Sequence, residues 1–135
     1  MLNELAPCGV FCGACPSFNK SCFGCSSNTN KNKRTKSKIH CPIRICIYTI
    51  KKYSYCIECE EFPCFKINKK LIKSHKGNQK YKYRHEIPDV FEELREIGVD
   101  EFIKKQRKRW SCKTCGGIVH FYHYTCSMCG QKADI

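Results

Sequence analysis

Fourteen cysteines in 135 residues, five CxxC doublets, and proline-opened runs of helical periodicity between them predict a small metal-stapled α+β fold, mostly α. The expected order is a cysteine-rich zinc-binding domain over residues 1–74, a basic linker with two helices over 75–110, and a C-terminal zinc ribbon of β-hairpins over 111–135.

Ten of the 14 cysteines lie in residues 8–64, led by Cys8-Gly9-Val10-Phe11-Cys12-Gly13-Ala14-Cys15-Pro16 and its echo Cys22-Phe23-Gly24-Cys25. A CxxC doublet brings two thiolates onto one tetrahedral ion through a tight turn. So short a segment cannot bury much apolar surface unaided, and staples are required. Dense cysteine fits either a secreted disulfide framework or a metal-bound protein of a reducing compartment. Residues 1–8 carry no basic region followed by an apolar one, and Arg44 and Lys51 interrupt the most apolar run, 43–50. No secretory signal and no membrane span are therefore expected, the location is read as cytoplasmic, and the thiols are read as ligands.

The formal charge of +13 overstates the basicity. Three sites of four thiolates and one divalent ion each would reduce it to about +7. Lysines outnumber arginines 19 to 6, whereas bidentate recognition of phosphates and bases favours arginine.

Along the chain, residues 28–38 contain no apolar side chain and read as an exposed loop. Pro42 suits the first turn of a helix with Ile43, Cys46, Ile47 and Ile50 on one face. After the knuckle Cys56-Ile57-Glu58-Cys59, Pro63 reads as the start of a second helix carrying Phe65, Ile67, Leu71 and Ile72. Residues 73–84 are basic and weakly patterned, with Tyr81 and Tyr83 interleaved, and read as a loop whose tyrosines pack back on the domain. Pro88 opens a helix with Val90, Phe91, Leu94 and Ile97 at helical spacing, and Gly98 ends it. Asp100 is expected to cap the next helix, with Phe102 and Ile103 inward and Lys104, Lys105, Arg107, Lys108 and Arg109 outward. The doublets Cys112-Lys113-Thr114-Cys115 and Cys126-Ser127-Met128-Cys129, each followed by glycine, flank Ile118, Val119, Phe121, Tyr122 and Tyr124 and describe a zinc ribbon, with iron in the same knuckles as the competitor.

Four stretches together resemble a known cysteine-rich microbial family, the domain of unknown function 3795. They are Cys8-Gly9 with Cys12 and Cys15-Pro16, then Cys22-Phe23-Gly24-Cys25, Cys41-Pro42-Ile43-Arg44-Ile45-Cys46, and Cys56-Ile57-Glu58-Cys59-Glu60-Glu61-Phe62-Pro63-Cys64. The resemblance covers about half the chain, implies a metal-stapled architecture, and lends no activity. The lysine-rich stretch before Cys41 departs from the pattern, and the ribbon looks like an extension found on some members.

The candidate ligands are thus Cys8, Cys12, Cys15, Cys22, Cys25, Cys41, Cys46, Cys56, Cys59, Cys64, Cys112, Cys115, Cys126 and Cys129, holding three zinc ions. A nominal grouping puts Cys12, Cys15, Cys22 and Cys25 on one ion and Cys41, Cys46, Cys56 and Cys59 on another, leaving Cys8 and Cys64 open. His40 is an alternative ligand, and His120 and His123 read as surface residues. The spacing of Cys8, Cys12 and Cys15 copies the CxxxCxxC motif of radical enzymes that use adenosylmethionine, but this chain is too short for their barrel. Cys64, beside a helix start, is the candidate reactive thiol. No small-molecule substrate is evident, and the sequence leans away from an enzyme. It describes a non-catalytic interaction module docking protein or nucleic acid; if nucleic acid is the partner, the footprint combines residues 31–38, 104–109 and the ribbon aromatics Phe121, Tyr122 and Tyr124. A redox or metal-handling protein using an iron-sulfur cluster or reactive thiols is the alternative.

Overall fold

The computed structural model of the chain describes residues 4–18, 20, 22, 24 and 41–135. The lysine-rich stretch 28–38, Cys25 and His40 lie outside them.

Turns dominate the N-terminal lobe. Ala6 N–H donates to Val10 O (2.9 Å) and Cys15 N–H to Cys12 O (2.9 Å), closing the 3-10 turn Cys12–Ala14. Helix α1, Pro42–Ile45, has Cys41 at its N-cap and Pro42 in the first turn, where no amide donor is needed. It continues as the π-helical turn Cys46–Lys51, ended by Lys52 at φ 59°. Ile43 and Ile47 face the core, whereas Ile50, expected beside them, is 63% exposed. The wider π turn rotates it off the inward face.

The second knuckle is the 3-10 turn Cys56–Glu58, and Cys56 N–H donates to Pro7 O (2.8 Å), which joins the two cysteine segments directly. Helix α2, Phe65–Ile67, runs on as the π turn Asn68–Lys73. Its N-cap is Cys64, so Pro63, expected to open the helix, stands one residue before the cap. Ile67 and Leu71 are buried; Phe65, expected inward, is the first helical residue and is 73% exposed.

Residues 73–84, expected as a loop, contain the 3-10 turn Gln79–Tyr81 and helix α3, Lys82–His85. Asn78 starts the turn by accepting Lys80 N–H at its Oδ1 (3.0 Å). Helices α4 (Ile87–Val90), α5 (Glu93–Ile97) and α6 (Val99–Arg109) follow. The stretch expected to hold two helices therefore holds four, because the Pro88 run divides into α4 and α5 and the basic linker before it adds α3. Gly98 ends α5 at φ 84° as expected, but it also occupies the cap position of α6, and Asp100 sits inside the first turn near the positive end of the dipole. Phe102 and Ile103 are buried while Lys104, Lys105, Arg107 and Lys108 face solvent.

The sheet is a single antiparallel pair, β1 (Val119–His120) and β2 (Thr125–Cys126), in the register Val119↔Cys126 and His120↔Thr125. Tyr122 and Tyr124 take φ of 77° and 54°, so the hairpin turns over after two residues of pairing. The described chain is mostly helical with this one small sheet, and no described helix is long and apolar enough to cross a membrane.

Among the described residues, one apolar core joins the parts of the chain. Leu5, Phe11, Ile43 and Ile57 from the cysteine lobe join Phe91 and Phe102 from α4 to α6 and Val119 and Phe121 from the hairpin. Phe91, 1% exposed, is edge-on to Tyr55 and Phe62, with ring centroids 6.4 and 5.7 Å away. The lobe's apolar residues thus enter a core that the C-terminal half completes.

Arg107 of α6 reaches back to Glu4, its Nε donating to Oε1 (3.1 Å) and Oε2 (3.0 Å). Those hydrogen bonds hold the Glu4 carboxyl below its ordinary range. A lowered carboxyl stabilises the fold above its unfolded pKa, and the contribution is lost as pH falls through the folded value. Arg107 is half exposed, so Glu4→Gln should cost no more than about 1 kcal/mol at pH 7. In acid unfolding followed by circular dichroism, the variant's deficit should shrink as pH falls below about 4. A deficit that stays constant down to full acid unfolding would contradict the pair.

Candidate metal centre

The C-terminal cysteines come together as their spacing demands. Trp110 leads out of α6, and its carbonyl accepts Val119 N–H (2.7 Å), fixing the start of β1 against the helix end. In the first knuckle Cys112 N–H donates to Gly117 O (2.7 Å) and Gly116 N–H to Cys112 O (2.9 Å). The second repeats the pattern, Gly130 N–H donating to Cys126 O (3.0 Å). Gly116 and Gly130, at φ 78° and 75°, occupy the left-handed position that closes each knuckle.

The ligand atoms of Cys112, Cys115, Cys126 and Cys129 all lie within 4.8 Å of one another. Cys112 Sγ is 3.7 Å from Cys129 Sγ, and Cys115 Sγ is 3.4 Å from Cys126 Sγ. A tetrahedron with metal–sulfur bonds of about 2.3 Å has edges near 3.8 Å, so this group could hold one metal ion. The first cysteine of each doublet is buried and the second exposed, which turns all four sulfurs to a common point at the surface.

Backbone amides favour the thiolate form of two of them. The N–H groups of Cys129 (3.5 Å) and Met128 (3.3 Å) point at Cys126 Sγ and bring its pKa down to about 6. Amides of Cys115 and Thr114 lower Cys112 likewise. Gly117 N–H also favours the Cys115 thiolate, but the hydrogen bonds to the neighbouring sulfurs and burial outweigh it and push Cys115 up to about 11. Four thiols this close ionise together only around a cation, and binding displaces the remaining protons. Burial and nearby Lys20 lower the His120 pKa, and His123 is exposed.

The described N-terminal cysteines lie in two neighbourhoods. Cys8, Cys12, Cys15, Cys22 and Cys41 share the wall of a cavity of about 240 Å³. Cys46, Cys59 and Cys64 lie within electrostatic reach of Cys56, as does Cys8, which borders both groups. Burial and these four thiols raise the Cys56 thiol pKa. Cys41, nominally grouped with Cys46, Cys56 and Cys59, therefore stands with the first set, and Cys64 with the second. Among the described residues, the C-terminal four form the one group of three or more candidate ligands whose atoms lie within 4.8 Å of one another.

Two residues of the first neighbourhood were not singled out from the sequence. Lys70 Nζ donates to Cys41 Sγ (3.1 Å), and the only hint was its place among the basic residues of α2 and its π extension. Arg84 lines the same cavity and lies over the Tyr81 ring, 4.7 Å from its centroid. Tyr83 stacks flat on Phe121, with centroids 3.9 Å apart and planes 7° apart, and both rings wall the cavity. The ribbon aromatics thus pack inward: Phe121 is 2% exposed and Tyr124 stacks on Trp110.

No curated protein and no solved structure matches the chain. Residues 4–69, which hold all ten N-terminal cysteines, match the family described as Protein of unknown function (DUF3795), and the cysteine lobe of this chain belongs to that family.

Proposed function

We propose that the chain is a non-catalytic interaction module in which a zinc-bearing C-terminal ribbon presents a basic cleft to nucleic acid. Zinc suits four thiolates at tetrahedral spacing, with each doublet anchored by its own backbone turn. The observation that carries the proposal is the cleft between α6 and the ribbon, about 670 Å³, lined by Lys105, Lys108, Arg109, Lys113 and Lys132 with Ser111, Thr114 and Gln131. Lys105 is paired with Glu93 and Arg109 with Glu86, and Asp134 also lines the cleft. Lys108, Lys113 and Lys132 have no carboxylate partner among the described residues and supply the excess charge.

Phe121 and Tyr124, read from the sequence as part of a nucleic-acid footprint, pack inward. Recognition here is by phosphate, with polar side chains at the rim. Filter binding of labelled single- and double-stranded nucleic acid should give retention at low salt that falls steeply as salt rises. The triple change Lys108→Gln, Lys113→Gln, Lys132→Gln should weaken binding at least tenfold and flatten the salt dependence by roughly three counterions. Absence of retention at low salt sinks the nucleic-acid reading and leaves a protein partner as the one to seek.

A further inference from the structure

We infer that the outer faces of α1 and α2, with the π turns that extend them, form a docking surface for an anionic lipid bilayer. This surface shares no residue with the cleft between α6 and the ribbon.

Among the described residues six large apolar side chains are exposed, and four of them stand here: Ile45, Ile50, Tyr53 and Phe65, between 40% and 73% exposed. The other two, Ile118 and Met128, belong to the ribbon. Local winding relates the four. Ile45 and Ile50, five residues apart, fall one above the other because Cys46–Lys51 is a π turn. Tyr53 follows the left-handed Lys52, its N–H donating to Ile47 O (3.0 Å). Phe65 opens α2, which packs against α1.

The charges around them are of one sign. Lys52, Lys66, Lys69 and Lys73 are exposed and have no carboxylate partner among the described residues. Lys69 and Lys73 follow Phe65 at intervals of four, so the ring heads a stripe of lysines along the helix. No Asp or Glu occurs in residues 41–57 or 62–85. Of the three acidic residues between those stretches, Glu61 is paired with Lys51 (3.0 Å), and Glu58 and Glu60 are exposed.

Apolar side chains standing among lysines fit the boundary between lipid headgroups and acyl chains. The long lysine stem carries its ammonium up to the headgroup phosphates while Phe65 and the isoleucines sit deeper. A nucleic acid would make less of this surface, because Ile45 and Ile50 offer no ring to stack on a base and lysine lacks the arginine fork. Each lysine held near an anionic bilayer strengthens binding about fivefold.

The test is co-sedimentation of the full chain with vesicles of phosphatidylcholine alone and of phosphatidylcholine mixed with phosphatidylglycerol. The protein should sediment with the anionic vesicles, far less with the neutral ones, and be released as salt rises. Any basic protein is drawn to an anionic bilayer, so the deciding variant keeps the charge. Phe65→Ser combined with Ile50→Ser should weaken binding at least tenfold while leaving the thermal midpoint in place, since both side chains are exposed. Lys66→Gln, Lys69→Gln and Lys73→Gln together should weaken it on the order of a hundredfold. Neither set should alter retention of nucleic acid on filters.

Equal binding of the apolar double variant and the parent to anionic vesicles overturns the inference, and so does failure of the parent to sediment with them at low salt. Loss of nucleic-acid retention in the double variant would make the surface a contact for bases, and a dimer abolished by the same change would make it a contact between copies; either result overturns it too. A chain that binds vesicles through this surface yet retains no nucleic acid refutes only the earlier proposal.

Discussion

Cys126→Ser is expected to empty the ribbon of metal and to loosen packing well beyond it. Cys126 is 4% exposed, its sulfur receives two backbone N–H groups, and its own backbone pairs with Val119 across the hairpin. Serine keeps the size and loses the soft anionic ligand, so a four-coordinate site becomes three-coordinate. Metal content should fall by about one equivalent per chain. Because β1 and β2 pair over only two residues each, the hairpin has little to hold it once the ion is gone. Phe121 and Trp110 then lose their fixed positions in the core, and the thermal midpoint should drop on the order of 10 °C. Near-ultraviolet circular dichroism reports the same loss through Trp110. A variant with unchanged metal content and midpoint would show that the four sulfurs do not form a working site.

Gly9→Ala should be the most damaging small substitution in the cysteine lobe. Gly9 has φ of 101°, and a Cβ there would sit 2.8 Å from Ile87 Cγ2 and 2.9 Å from Phe91 Cδ2. Both neighbours are buried, 3% and 1% exposed, and cannot swing aside. Overpacking of this kind costs about 1–3 kcal/mol, and the left-handed backbone adds about 1–2 kcal/mol for any residue with a Cβ. Together they remove a large fraction of the stability of a small domain. Gly77→Ala separates the two causes, because Gly77 has φ of 83° with nothing within 4 Å of the added methyl. Its loss should be confined to the backbone contribution. Equal midpoints for the two variants in urea would mean that α4 does not press on the lobe.

The parts of this molecule legible in its sequence are those fixed by short-range chemistry. Cys112, Cys115, Cys126 and Cys129 converge because each pair is bound by its own four-residue turn, and glycine follows each pair where the chain must bend back. Pro42 and Gly98 likewise act on their immediate neighbours, and each stands at a helix boundary. What depended on helix period was misread where the period changed. Ile50 is exposed because Cys46–Lys51 winds as a π turn, and no residue there announces it. Tyr83 packs back on the domain as expected, but its partner Phe121 stands 38 residues further along, beyond the reach of local pattern. The arrangement of the N-terminal thiols was out of reach for the same reason. Cys41 joins Cys8, Cys12, Cys15 and Cys22 through the fold of the lobe, while Cys46, a turn further along the helix, faces Cys56.

The flat stack of Tyr83 on Phe121 ties the two ends of the chain together. Phe121 belongs to the hairpin and Tyr83 to α3, yet both line the cavity that Cys8, Cys12 and Cys15 also line. A change that frees the hairpin therefore takes away one wall of that cavity, and damage at the carboxyl-terminal knuckles is felt at the opposite end of the sequence.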